Sequence, residues 1–184
     1  MILYKAKMHL NWKWKIISLK LLFGKRISLH WSDRIAPSVK VRINDSGMIH
    51  LGEHVEIREN CILNVTSGGI IRIDDRVFMN DGCYINAREL VHIGKDTMFG
   101  QGVKIYDHDH DYRSENIKTT FKQSPVTIGN NIWICSDVII LKGCKVENNS
   151  VIAAGTVVRN NVSSNVLCYS HKENEERVIE KSFK

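Results

Sequence analysis

The sequence predicts an all-β fold, a parallel β-helix wound as a three-sided prism. Three observations predict it: a six-residue apolar period, its grouping in threes, and the residues at the corners. Leu51, Ile57 and Leu63 form one apolar triplet, Ile73, Met79 and Ile85 the next, then Ile93, Phe99 and Ile105, Ile128, Ile134 and Ile140, and Val146, Ile152 and Val158. The spacing is six inside every triplet and breaks only between triplets. A chain that lays one short strand on each of three sides has this signature, and such short repeats mark solenoids. Each grid residue then points inward, while its coil hydrogen-bonds to neighbouring coils about 4.8 Å away.

Corners need tight turns. Gly52, Asn64, Asp74, Asn80, Asn86, Gly94, Gly100 and Gly129 directly follow grid positions, where residues tolerant of unusual backbone angles are expected. Four places beyond the grid the side chain is often small or β-branched, as at Val55, Cys61, Ser67, Val77, Cys83, Thr97, Val103, Cys144, Ser150 and Thr156. Such residues can pack beneath the next turn. About five to six coils follow from the repeat count.

Breaks in a solenoid collect on its edges, where they can build a binding surface. Those after Leu63 and Ile85 are short, whereas the break between Ile105 and Ile128 is a whole loop. This protruding loop, at about 107–124, carries Asp107-His108-Asp109-His110-Asp111 and ends at Pro125. A long loop on a rigid scaffold is where function tends to reside.

With 184 residues and 43% hydrophobic composition, the chain is one globular unit in three segments. These are an N-terminal arm (1–32), the repeat domain (33–168) and a tail (169–184). The net charge of +6 belongs to the arm. Residues 1–32 hold seven cations (Lys5, Lys7, Lys13, Lys15, Lys20, Lys25 and Arg26) and no acid, while the remaining 19 basic residues balance 20 acidic ones. A nearly neutral body argues against a nucleic-acid partner.

The arm, with Leu10, Trp12, Trp14, Ile16, Ile17, Leu19, Leu21, Leu22 and Phe23, predicts a helix. Lysines interrupt the apolar run and no small-residue cleavage site follows, so it is not a signal peptide. Nor does it have the roughly 20 mostly apolar residues of a membrane span. Two readings stay open: an interfacial helix on anionic lipid, and a helix that covers the open end of the prism. Five cysteines, Cys61, Cys83, Cys135, Cys144 and Cys168, show no zinc-like pairing and suit a reducing cytoplasm.

The hexapeptide grid, the segment Val126-Thr-Ile-Gly-Asn-Asn-Ile-Trp-Ile-Cys-Ser136 and the segment Asn149-Ser-Val-Ile-Ala-Ala-Gly-Thr-Val-Val158 resemble the bacterial hexapeptide-repeat acetyltransferases. The likeness runs over about residues 40–168, and points to the galactoside and maltose O-acetyltransferases and to the capsule, exopolysaccharide and O-antigen O-acetyltransferases. It implies a left-handed helix, although parallel crossovers are generally right-handed. It also implies acetyl-CoA as co-substrate, a sugar or glycan acceptor and a homotrimer with CoA in the groove between prisms.

Carried over residue by residue, the resemblance places the catalytic base at His110, with His108 as second choice if the loop is out of register. Asn80 falls on an acceptor contact, Trp133 on the wall shared by acceptor and cofactor, Ser136 on the active-site wall and Ala154 on a backbone contact to the pantetheine arm. Arg159 and Arg177 are candidate cations for the CoA phosphates. Relatives close the last coil with a Gly-x-Pro-Ala-like segment, whereas Tyr169 to Arg177 has neither Gly nor Pro.

The chemistry fits those residue types. A sugar hydroxyl is a poor nucleophile until a base takes its proton, and an imidazole is suited to that near neutral pH. The oxyanion formed at the thioester carbon needs a donor, which the resemblance places at a backbone N–H near Ser136. No metal or covalent intermediate is required.

Other readings of the same residues stay open. His108, His110 and His92 could bind zinc, Cys135 could be a nucleophile, and Asn80 could be only a corner residue. N-acetylation of an amino sugar and a non-catalytic scaffold are the alternative functions. The enzyme is expected in the cytoplasm, with the arm as a contact to the inner membrane face.

Overall fold

The computed structural model describes residues 2–170, with side chains described from Asn11 onward. Helix α1 (Ile2–Phe23) is followed by a parallel solenoid. The first face stacks Ile27–Ser28, Met48–Leu51, Ile70–Ile73, Leu90–Ile93, Val126–Ile128 and Lys145–Val146. The second stacks Arg34–Ile35, Glu56–Ile57, Phe78–Met79, Met98–Phe99, Trp133–Ile134, Val151–Ile152 and Leu167–Cys168. On the third lie Lys40–Ile43, Ile62–Val65, Tyr84–Ala87, Lys104–Tyr106, Ile139–Ile140 and Val157–Val158. The chain visits the faces in that order, six times round, as a left-handed parallel β-helix.

The register places grid residues in columns: Leu51 pairs with Ile73, Ile73 with Ile93 and Ile93 with Ile128. All fifteen grid residues are no more than 6% exposed, so the apolar period is the core of the prism. Phe99 is the largest of them and fully buried. One further triplet, Leu29, Ile35 and Val41, lies upstream with the same spacing of six and forms the first coil, although Val41 is only half-buried.

The corners work differently from the sequence expectation. Left-handed backbone falls three residues beyond the grid, not one: His54, Asn60, Arg76, Asp96, Asn131, Asp137 and Asn149 have φ of 56 to 60°, and Gly82, Gly102, Gly143 and Gly155 share the region. The glycines that directly follow the grid serve close approach instead. A Cβ on Gly100 would lie 2.5 Å from the Ser136 nitrogen in the next coil, so only hydrogen fits there.

Helix α1 ends at Gly24, whose φ of +56° carries the chain out of the helix. Ile16 and Leu19 are buried and Phe23 partly so, packed against the first coil. The Lys13 ammonium donates to the Trp31 carbonyl and that of Lys15 to the Pro37 carbonyl at 3.1 Å. This docked face matches the covering helix of the two sequence readings.

Candidate active site

The long insertion leaves the prism at the edge between third and first faces, after Tyr106, and returns at Val126. It begins with an antiparallel hairpin, His108–His110 against Phe121–Gln123, with His110 opposite Phe121. Each of the five residues of the Asp-His string has a defined partner. Asp107 is fully buried, and its carboxylate accepts from the backbone N–H groups of Arg88 (2.9 and 3.0 Å) and Glu89 (2.7 Å). It also holds the His108 Nδ1 at 2.8 Å. Asp109 pairs with Lys142 at 2.7 Å and Asp111 with Lys122 at 3.0 Å, which ties the hairpin to the prism and to itself. The Lys122 ammonium holds the Asp111 carboxyl below the usual carboxylate range.

Both imidazoles have a defined tautomer. His110 Nδ1 lies 2.7 Å from the Ile117 carbonyl oxygen, which can only accept, so in the neutral ring Nδ1 is the protonated nitrogen and Nε2 the one with the lone pair. The carboxylate of Asp107 imposes the same tautomer on His108. The two differ in access: the His108 side chain is 11% exposed, whereas His110 lies on the hairpin surface. Phe121 supports both rings, with centroids at 4.4 Å from His110 and 5.8 Å from His108, and the Arg88 guanidinium packs over it at 3.8 Å.

The remaining predicted residues, apart from Arg159 and Arg177, lie along another edge. Asn80, Ser136 and Ala154 follow second-face strands of three different coils, and therefore line the edge between second and third faces. Trp133 sits beside them on the second face, 50% exposed and in register with Met98, which is 44% exposed. Together they make an apolar plateau. The third face separates this edge from the hairpin, so one chain carries its predicted base and its predicted CoA wall on opposite edges.

The backbone of that edge has a gap in its capping. At four corners the N–H donates to an Asp or Asn of the next coil: Glu53 to Asp75 at 2.8 Å, Glu59 to Asp81 at 3.0 Å, Lys95 to Asn130 at 3.0 Å and Asn130 to Asn148 at 2.7 Å, whereas those of Asp75 and Asn148 on the edge between first and second faces have no such cap. The equivalent residue above Ser136 is Ala154, which has no acceptor. Among the described residues the N–H groups of Ser136 and of Gln101, one coil below, make no hydrogen bond. Unpaired N–H donors held by a rigid edge can bind an oxyanion.

Asn80 uses its side chain locally, accepting from the Asp81 N–H at 2.9 Å, in keeping with a corner residue. Arg159 is exposed at the edge between third and first faces, on the hairpin's side of the prism. Arg177 lies outside the described residues. His92 faces Asp74 at 2.9 Å on the first face, away from the hairpin pair. Among the described residues no three His, Cys, Asp or Glu side chains are grouped so as to hold a metal ion. Cys135 is half-buried and free.

Residues 125–160 match the family described as bacterial transferase hexapeptide (six repeats). WbbJ of Escherichia coli K12, provisionally named a lipopolysaccharide biosynthesis O-acetyl transferase, is 32% identical over 135 residues, 68% of this chain and 69% of WbbJ. The chain belongs to the hexapeptide-repeat transferase family. It is an acyltransferase of that family. The galactoside O-acetyltransferase of the same strain is 34% identical over 101 residues, which is 54% of this chain and 50% of that protein. Among solved structures, AntD of Bacillus cereus, an N-acyltransferase seen with dTDP-4-amino-4,6-dideoxyglucose and coenzyme A, superposes with a TM-score of 0.73 at 14% identity, over 90% of each chain. That likeness concerns the fold.

Sequence reasoning missed Asp107, Phe121, Gln101 and Met98. Asp107 had a readable signal in its place directly before His108. The others show only once coils are stacked. Asp107→Asn is expected to lower stability by about 1–3 kcal/mol, because the amide turns an N–H donor toward one of the N–H groups it must satisfy. Thermal or urea unfolding of the two proteins measures this.

Proposed function

We propose that the chain is an acetyl-CoA-dependent O-acetyltransferase acting on a sugar hydroxyl of a surface polysaccharide (capsule, exopolysaccharide or O-antigen) or its precursor. It works in the cytoplasm, at the inner face of the membrane. The observation that carries this reading is the pair of half-sites on opposite edges of the third face: a free imidazole Nε2 on one, uncapped N–H donors beside an exposed tryptophan on the other. A closed ring of three copies brings the hairpin of one prism to the donor edge of the next, which is how a homotrimer completes a site that one chain leaves divided. The provisional name of WbbJ supports the polysaccharide acceptor.

In this reading Nε2 of His110 removes the hydroxyl proton as the oxygen attacks the thioester carbonyl. The Ser136 N–H receives the charge that develops on the carbonyl oxygen, and the proton held by His110 passes to the departing thiolate. Trp133 offers a flat wall to acceptor and pantetheine, Ala154 lets the pantetheine chain approach the backbone, and Asn80 faces the acceptor. Arg159, with Arg177 of the tail, supplies cations for the CoA phosphates. His108 is the second choice for base.

The test is release of CoA from acetyl-CoA with a panel of neutral, acidic and amino sugars and oligosaccharides. Release that requires a hydroxyl acceptor is the expected result. Release only with amino sugars would make the enzyme an N-acetyltransferase, and absence of both release and acetyl-CoA binding would leave a scaffold.

A further inference from the structure

Helix α1 has two unlike faces. Ile16, Leu19 and Phe23 lie on the docked side, so they are spent on the first coil. With 3.6 residues per turn, Trp14, Leu21 and Leu22 share the outer arc with Asn11 and Ser18. Those three apolar side chains are 64%, 82% and 70% exposed. A helix that only covered the prism would present polar residues there. Trp31 stands beside it, 54% exposed, with the Lys13 ammonium 4.7 Å from its ring.

Charge selects the occupant of this face. Residues 1–32 carry seven cations and no acid, and two of them are exposed near this face: Lys20 on the flank of the helix between the docked side and the apolar arc, and Lys25 just beyond the helix end. Lys13 and Lys15 reach backbone carbonyls, which leaves their charge uncancelled. Leucines and a tryptophan have no use on a polyanion in solution, and an uncompensated cation cluster would repel its own copy across a symmetric contact. A bilayer with anionic headgroups satisfies both: aromatic and aliphatic side chains enter the headgroup boundary and lysines meet phosphates.

We propose that the outer face of α1 is a docking surface for anionic membrane lipid, with Trp14, Leu21 and Leu22 inserted and Lys20 and Lys25 at the headgroups. The helix is thereby a clamp, with one face on the prism and the other on the bilayer. This deepens the functional reading above, because an acceptor built on a lipid carrier is met at that surface, while the lipid contact itself is measured independently of catalysis.

Deleting the arm would uncover the first coil, so point variants of exposed residues are the suitable probe. The full chain is floated with vesicles of phosphatidylethanolamine containing about a quarter phosphatidylglycerol, and with neutral phosphatidylcholine vesicles. The native chain is expected to float with the anionic vesicles only. The Leu21→Ser/Leu22→Ser and Lys20→Gln/Lys25→Gln pairs are each expected to weaken that binding about tenfold or more, with unchanged melting temperature. A native chain that floats with neither vesicle, or a leucine pair that floats like the native chain, overturns the proposal. So does a leucine pair whose only effect is a smaller mass by light scattering, which would mark the face as a contact between copies. Acetyl transfer to a soluble sugar should be the same in both variants, so loss of transferase activity in the native chain would count against the functional reading and not against the lipid surface.

Discussion

Replacing His110 with alanine is expected to lower the rate of acetyl transfer by about 10²–10⁴-fold while acetyl-CoA still binds. The expectation rests on its tautomer. The Ile117 carbonyl fixes the proton on Nδ1 and leaves Nε2 free on an exposed strand of the hairpin. His108 has the same tautomer, yet its ring is mostly enclosed by Asp107 and Phe121. His108→Ala should therefore act through the hairpin, with a moderate loss of rate and a drop in melting temperature, whereas His110→Ala should melt like the native protein. Steady-state CoA release for both variants, alongside thermal unfolding, decides between them. If His108→Ala removes the activity and His110→Ala does not, the base is the histidine oriented by the buried carboxylate.

The core and the insertion were legible because both are one-dimensional signals. A six-residue period and one long break determine which residues fill the prism and where the hairpin leaves it, and Ile93, Phe99 and Ile105 followed by the Asp-His string show both within twenty residues. What was not legible depends on stacking. Gly100 looks like a turn former in sequence, but it is needed because Ser136 of the next coil lies against it. The left-handed corners fall at residues as unlike as Asn60, His54 and Arg76, because the capping and the next coil enforce that backbone at a position, not at a residue type. The first triplet was readable at Leu29, Ile35 and Val41, yet its third member is only half-buried and the arm's apolar residues crowd the signal before it. Division of the site between two edges needs the face to which each strand belongs, and no linear motif states that.

Ala154→Asn is expected to remove most of the activity from a chain that is no less stable. At four other corners an Asp or Asn of the next coil caps the N–H below it at 2.7–3.0 Å, as Asn148 does for Asn130 and Asp81 for Glu59. Ala154 occupies the same place over Ser136 and is exposed, so the longer side chain fits and supplies the missing acceptor. The new hydrogen bond should add about 0.5–1.5 kcal/mol of stability. It should also occupy the N–H that the reaction uses, at a cost of about 10²–10³-fold in kcat. Ala154→Leu adds similar bulk without an acceptor, and is expected to raise KM for acetyl-CoA with a smaller effect on kcat. Equal losses in the two variants, or a fully active asparagine variant, would separate the uncapped Ser136 N–H from the chemistry. A stable, CoA-binding and inactive asparagine variant would tie the oxyanion donor to the absence of a corner cap over Ser136, where the capping side chain is replaced by a methyl group.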